Sequence, residues 1–560
     1  MVELKSAGQV VVDALSAEKV DTVFGLQGSH ILSISDALLD AGGIRFVSVK
    51  HENNAALMAD MYGRLTHRPG VCLVTAGPGG TNSLTGVAQA YTAASPLVHI
   101  SGTVSRGARK GEFHGVDDPE FVHKIFSHVT KWSVSVDEVA DIPRILAKAF
   151  SITTSGRPGP VHVDLPVDLV EVGPTEVRRY EREPTKRVPP DAGLVDEVTN
   201  LLLDARNPVI CAGKSVLALS ASAELATLAE LLAAPVVFPY DAEGVLHPSH
   251  PLCAGAYNGF LPHPLPLQLI KECDVLLTLG MRPATNSAAM LDNWAPDHYI
   301  FLSPEEVEGE RSPASISAVV DPKAMLREII AGIEGSHRRG SEAVERRIAQ
   351  AKSSLRTALN KEVEQYRGQR PIHFGLALKE LVPSLGEDAL VVGDIGNHGV
   401  WTSKWFEVHG TQTLISPGSW GEMGFALPGA IAAKLVHPEK QVVGITGDGA
   451  FLMSCSDFGT ALEVGANVVI VILNDSRHGM IHKLQIRDFG RTFSTEVRSP
   501  DFATFAESFG AVGIRVEDDS QLRSAFQEAF AAGSTVIVDV VSGYDFPHPA
   551  PEELMRRAQS

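Results

Sequence analysis

Cysteine is scarce: five residues in 560, at 72, 211, 253, 273 and 455, odd in number and without a Cys-x-x-Cys pair. Such spacing offers neither a disulfide framework nor a zinc site, and it fits a reducing, cytoplasmic setting. Long apolar runs are missing too; nothing approaches the ~18–20 residues of a membrane span. The opening "MVELKSAGQVVVDALSAEKVDTVFG" mixes charges into an amphipathic pattern and reads as the first helix of a domain, not as a signal peptide. Basic charge is in deficit: 48 Lys and Arg stand against 67 Asp and Glu, a formal net charge of −19. Nucleic acids and anionic membranes want basic patches, so neither is an expected partner. The two basic clusters, 178–187 and 337–347, are interleaved with Glu and read as solvated linker surface. Short-period repeats and low-complexity tracts are also missing.

What the chain does have is length and a regular alternation. At ~100–200 residues per domain, three domains are the natural expectation. Short β-branched runs alternate with helical patterns: "RFVSVK" (45–50), "GVCLVT" (70–75), "PLVHIS" (96–101) and "PVHVDL" (160–165) form one set. "PVICAG" (208–213), "PVVFPY" (235–240), "VLLTLG" (275–280) and "YIFLS" (299–303) form a second. "ALVVGDIG" (389–396), "VVGITGDG" (442–449), "VVIVILND" (468–475) and "TVIVDVV" (535–541) form a third. Apolar strands separated by helices indicate parallel sheets covered on both faces, so the fold class is α/β, three doubly wound domains. Pro- and charge-rich stretches near 172–192 and from 334 to 368 place the domains at 1–172, 192–334 and 368–548.

The third set carries the chemistry. Ligands of open α/β sheets sit at the carboxyl ends of strands. "GITGDGAF" puts Gly447, Asp448, Gly449 and Ala450 at such an end, where glycine lets backbone approach a ligand and a following helix offers free N–H groups to phosphate. Asp475 ends the next strand, 27 positions on, one helix and one strand away. A carboxylate at the end of a buried strand is costly unless something pairs with it. Two of them beside a phosphate site point to Mg²⁺, which takes one or two carboxylates and completes its shell with phosphate oxygens and water. Each half also has a plain alternative, a helix N-cap at Asp448 and a turn at "NDS".

"GDG" followed one helix and one strand later by "LND" resembles the motif of thiamine-diphosphate enzymes. The likeness runs over nearly the whole chain and is strongest to the acetolactate synthase-like group, with similarity also to pyruvate decarboxylases, benzaldehyde lyase and carboxyethylarginine synthase. The resemblance implies a thiamine-diphosphate-binding fold with an N-terminal pyrimidine-binding domain, a Rossmann-like middle domain and a C-terminal diphosphate-binding domain. It implies metal ligands at Asp448, Asp475 and the backbone carbonyl of Arg477. One departure stands out: the family normally has Asn where this chain has Asp475, which adds a negative charge beside an anionic diphosphate. "GDIGNHGVW" (393–401) is similar to the family segment that contacts the diphosphate, with Asn397 and His398 in those places; otherwise it is an ordinary strand-to-helix turn.

Near the N-terminus, "KHENNA" followed by "TAGPGGTN" resembles the family's activating-glutamate region. There a glutamate, here Glu52, hydrogen-bonds the cofactor's aminopyrimidine and promotes loss of the thiazolium proton; read alone, Glu52 is a first-turn helix acid. "AGPGGTN" lacks the Lys-Ser/Thr of a P-loop and reads as a turn near the pyrimidine. "SPGSWGEMGFALPGA" (416–430) places Gly421 and Met423 where the family props the cofactor into its bent shape. His30, His114 and His478 map to the substrate side, where imidazole can shuttle a proton. Gly479 and Met480 follow the metal loop, and Gln27, Ser29 and Trp420 are candidate pocket walls. "GMRPATNSA" (280–288) lacks the acidic pair of the flavin-linked synthases, so FAD is not expected; "NPVICAGKS" fits either a nucleotide or a vestigial fold.

The resemblance implies thiamine diphosphate and Mg²⁺ as cofactors, a 2-oxo acid and an acceptor as substrates, and a homodimer or homotetramer with the site at the subunit interface. The expected activity is carboligation after decarboxylation. A 2-oxo acid decarboxylase, a 2-hydroxyketone or 2-hydroxyacyl lyase, a flavin-dependent pyruvate oxidase-like enzyme and a non-catalytic homologue are the alternatives.

Overall fold

The computed structural model describes residues 2–257, 264–282, 296–306, 314–333, 340–409 and 413–543. Part of "GMRPATNSA", the start of the second linker and the end of the third expected domain lie outside them. The described strands form three six-stranded parallel sheets and one antiparallel pair.

The first sheet runs Arg45–Ser48, Thr22–Gly25, Gly70–Val74, Leu97–Thr103, Pro160–Pro166, Trp132–Ser135. In sequence order that is 2-1-3-4-6-5. The third sheet repeats this order with Thr413–Ile415, Leu390–Gly393, Val442–Gly447, Val469–Asn474, Val536–Val541 and Val512–Val516. The middle sheet differs. Cys253–Ala256, Val236–Phe238, Pro208–Ala212, Val275–Leu279, His298–Ser303 and Ile316–Val319 give 3-2-1-4-5-6, the order of dinucleotide-binding folds. Each sheet has its own core; Val71, Val98 and Val161, for example, pack with Val11 and Leu15 of helix Ala7–Ala17. That helix starts at Ser6 in a capping box with Gln9.

All twelve strands expected from the sequence are present. The strands that went unread are mostly edges: Trp132–Ser135, Ile316–Val319, Thr413–Ile415 and Val512–Val516 are short and only partly buried, so they lack a continuous apolar run. The opening stretch begins with a strand, Val2–Lys5, before its helix, and ends in Thr22–Gly25. Val2–Lys5 pairs antiparallel with Thr175–Arg178, inside the stretch taken as linker. Glu3, Lys5, Glu176 and Arg178 make this pair too charged to read as strand. From the basic cluster beyond it, Tyr180 and Arg182 both reach Glu18.

The chain forms two compact units. One holds the chain up to Lys186 together with Ser419–Pro438 and Ser454–Ala466; the other holds Arg187–Gly418, Glu439–Met453 and the chain from Asn467 onward. In the first, helix Ala426–Val436 packs on helix Glu52–Thr66.

Candidate functional site

In the second unit, the sequence order of the strands reverses between Leu390–Gly393 and Val442–Gly447. A reversal of this kind opens a crevice at the carboxyl ends of the two strands. Asn397 and His398 follow the first strand; Gly447 and Asp448 end the second; Asp475 ends its neighbour Val469–Asn474. The His398 ring is held between two glycines. A Cβ on Gly447 would stand 2.6 Å from its Nδ1, and one on Gly396 2.6 Å from its Cε1. Burial pushes this imidazole down to about 3, so it is neutral. Its Nε2 and the Oδ1 of Asn397 are buried without a hydrogen-bond partner. Buried polar atoms are rarely left so; a diphosphate at this crevice would accept from His398 in its Nε2–H tautomer, whereas the Asn397 oxygen calls for a donor.

Asp448 is 1% exposed and accepts a hydrogen bond from Ser499 Oγ at 2.5 Å. Burial raises it above the ordinary carboxylate range. Asp475 is raised further, by burial first and then by the charge of Asp448, with which it shares a hydrogen bond. The two carboxyl groups therefore converge, as their spacing suggested. The loop after them is clamped from outside. His478 N–H donates to Thr495 O at 2.8 Å, Val497 N–H donates to Ser476 O at 2.8 Å, and Arg477 Nε donates to Glu496 at 2.8 Å. Ser476 takes a left-handed φ of 52° in the turn. Among the described residues no group of three or more His, Cys, Asp or Glu is arranged to hold a metal. Two carboxylates are nevertheless the donor set that suits Mg²⁺ when phosphate completes its shell. Asn397 and Asp475 line one small cavity with His373 and Lys483. Met480 lines a larger one, about 870 Å³ with its open mouth, together with Gly393, Asp394 and Gly396. On its wall, burial pushes Glu243 up to about 8 and Glu407 up to about 7. Gly449, Ala450, His478 and Gly479 flank these groups in the chain.

In the first unit, Glu52 opens helix Glu52–Thr66, where His51 caps the Asn53 N–H at 3.2 Å. Glu52 is 7% exposed, and Asn82 Nδ2 donates to its Oε2 at 2.9 Å. Asn82 belongs to helix Pro78–Thr92, after the "AGPGG" turn. Gly77 is required there: its φ is 60°, and a Cβ would stand 2.5 Å from the His114 carbonyl oxygen. Asn53 donates to Glu422, so the segment of Gly421 and Met423 lies beside the Glu52 helix. His30 and His114 stack with ring centroids 5.0 Å apart. Burial, then the charge of His114, lowers the His30 imidazole. Ser29 Oγ bonds His30 Nδ1 at 3.1 Å, and Ser35 donates to Gln27. The Nδ1 of His114 is buried without a partner. Trp420 is 47% exposed, so within this unit it is only a partial wall.

Glu52, His30, His114, Gln27, Ser29, Trp420, Gly421 and Met423 thus belong to the first unit, and the phosphate and metal candidates to the second. Sequence reasoning missed Asn82, Ser499 and the Thr495–Val497 clamp. Asn82 stands in the quoted "GGTN" and was readable; Ser499 has no local pattern to mark it.

The family models of the thiamine pyrophosphate enzymes match all three regions: the N-terminal TPP binding domain at 5–124, the central domain at 195–329 and the C-terminal TPP binding domain at 394–540. The chain therefore belongs to the thiamine pyrophosphate enzyme family. Within it, the chain is acetolactate synthase-like. It is 32% identical to an acetolactate synthase of Bacillus subtilis, covering 96% of this chain and 93% of that protein. It is 30% identical to a probable acetolactate synthase large subunit of Methanocaldococcus jannaschii, covering 95% and 91%. Among the described residues, no helix is long and apolar enough to cross a membrane.

Proposed function

We propose that this protein is a thiamine-diphosphate- and Mg²⁺-dependent carboligase of the lyase/transferase type that acts on a 2-oxo acid and joins the remaining fragment to an acceptor. The observation that carries the reading is the likeness to acetolactate synthases along almost the whole chain. Thiamine diphosphate, when bound, supplies the electron sink that lets a bond next to a carbonyl break. The chain's own groups supply the rest. Asn397 and His398 bind diphosphate oxygens, and Asp448, Asp475 and the Arg477 carbonyl hold the cation. Glu52, oriented by Asn82, holds a proton at the pyrimidine ring. Met423 and Gly421 shape the cofactor. His30, His114 and His478 hold or move a proton at the substrate, with Gln27, Ser29 and Trp420 beside them. The active form is a cytoplasmic homodimer or homotetramer whose sites are shared between subunits.

The test is to load the protein with thiamine diphosphate and Mg²⁺ and offer 2-oxo acids with and without aldehyde or second 2-oxo acid acceptors. CO₂ release with a new carbon–carbon bond is expected. CO₂ with free aldehyde alone would make the protein a decarboxylase, and cleavage of 2-hydroxyketones without CO₂ a lyase. Hybrid oligomers of Glu52→Gln and Asp448→Ala chains should recover part of the activity; hybrids as dead as either parent would remove the shared site.

A further inference from the structure

Behind the Glu52 helix, a chain of hydrogen bonds runs through the core of the first unit. Ser83 Oγ lies 2.7 Å from His99 Nε2; His99 Nδ1 lies 2.7 Å from His162 Nδ1; His162 Nε2 lies 2.9 Å from Asp164 Oδ1. Ser101 Oγ donates to the same Asp164 oxygen at 2.5 Å. All five side chains are at most 1% exposed. Phe126 stacks on both imidazoles, with centroids 4.5 Å from His99 and 4.2 Å from His162. The family reading uses none of these groups.

The geometry orders the protons. Ser83 Oγ is 2.7 Å from the Gly80 carbonyl, so its single proton goes there and it accepts from His99 Nε2–H. His99 Nδ1 must then accept, which makes His162 Nδ1 the donor. One proton is left between His162 Nε2 and Asp164, and the network is neutral overall. The opposite direction, with every donor pointing toward an ionised Asp164, would bury a net negative charge, which is costly without a cation. Burial, and then the neighbouring His162, hold the His99 imidazole far below its ordinary value, in keeping with a neutral ring.

Ser83 is the residue after Asn82, in the first turns of helix Pro78–Thr92. The hydroxyl ties this turn to strand Leu97–Thr103 through His99, and to strand Pro160–Pro166 through His162 and Asp164. We propose that Ser83, His99, His162 and Asp164 are positioning residues, a buried relay that fixes the start of this helix and so holds the Asn82 amide on Glu52. The proposal rests on the reading of Glu52 as the group that activates the cofactor.

Two measurements test it. In the cofactor-free protein, ¹⁵N spectra of labelled histidine should show His99 as the neutral Nε2–H tautomer, and Ser83→Ala should speed amide exchange in residues 78–92 before other helices. A His99 Nδ1–H tautomer, or unchanged exchange in that helix, overturns the relay. In the loaded enzyme, exchange of the thiazolium proton should slow about 10- to 100-fold in Ser83→Ala and in His99→Phe, which keeps a ring against Phe126. Thiamine diphosphate affinity should stay within about twofold, because both side chains are fully buried and so cannot touch the diphosphate. A group acting through Asn82 adds nothing once Asn82 is gone, so Asn82→Ala/Ser83→Ala should exchange no more slowly than Asn82→Ala. Additive effects, or normal exchange in both single variants while Glu52→Gln is slow, would defeat the relay alone. Normal exchange in Glu52→Gln would instead defeat the reading of Glu52, and the cofactor-free measurements would then decide the relay.

Discussion

Replacing Asp475 by Asn should stabilise the cofactor-free protein, and more so as pH rises. Burial and the Asp448 charge push Asp475 up to about 8, against about 3.9 for an ordinary aspartate in the unfolded chain. Between those values the folded state keeps a proton that the unfolded state has released. Folding therefore weakens as pH rises through the window, by about 1.4 kcal/mol per pH unit for each whole proton of difference. From about pH 5 to about pH 7 the loss has a ceiling near ~3 kcal/mol. Asn has no proton to lose, and its amide can donate to Asp448 where the shared proton did. At ~2–4 °C per kcal/mol, the scale for a domain of about 150–250 residues, the Tm advantage of Asp475→Asn should widen by up to roughly 6–12 °C over that interval. Scanning calorimetry on metal-free protein across pH reads it directly. Mg²⁺ with thiamine diphosphate should narrow the gap, because a cation answers both carboxylates at once. A Tm difference that stays constant with pH, or shrinks as pH rises, would refute the shared-proton geometry.

Glu52→Gln should bind thiamine diphosphate nearly as well as the unaltered protein but slow thiazolium proton exchange by orders of magnitude; near-normal exchange would remove Glu52 from its role. His114→Ala should lower turnover or change product partition by roughly 10²–10⁴-fold with little change in cofactor affinity, as suits a group that moves a proton. Unchanged turnover and products across pH would return His114 to a packing role. Gly447→Ala should drive its methyl into the His398 ring, at a cost of about 1–3 kcal/mol, and weaken thiamine diphosphate binding by about 10-fold or more by calorimetry. Equal affinity would place the diphosphate away from His398.

Most inner strands were legible because burial on both faces leaves a mark at every position, as in "VIVILN" at 469–474. Edge strands carry no such mark: Trp132–Ser135 is only partly buried throughout, and Thr175–Arg178 alternates charge with apolar side chains. The same difference governs the site. Asp448, Asp475, His398 and Glu52 sit at strand ends or helix starts, where local sequence restricts what a residue can do. Ser499, which holds Asp448, comes from a loop 51 positions downstream and is invisible to any local pattern. Asn474 was readable only as a neighbour of Asp475, yet its amide donates to Asp539, itself paired with Arg515 at 2.7 Å.

The two cofactor sheets share one strand order but place their groups differently on it. In the third sheet, Asp448 follows the third strand and Asp475 the fourth, so two acids meet across adjacent strand ends. In the first sheet, Glu52 follows the second strand, and the third leads into the helix that carries Asn82. There the acid meets an amide and not another acid. A carboxylate that must work alone needs a donor that cannot compete for its proton, and an amide is such a donor. A carboxylate that must bind a cation gains from a second one, at the expense of stability whenever the cation is absent. The different partners of Glu52 and Asp475, an amide and a second acid, thus follow from which strand ends the shared topology sets side by side.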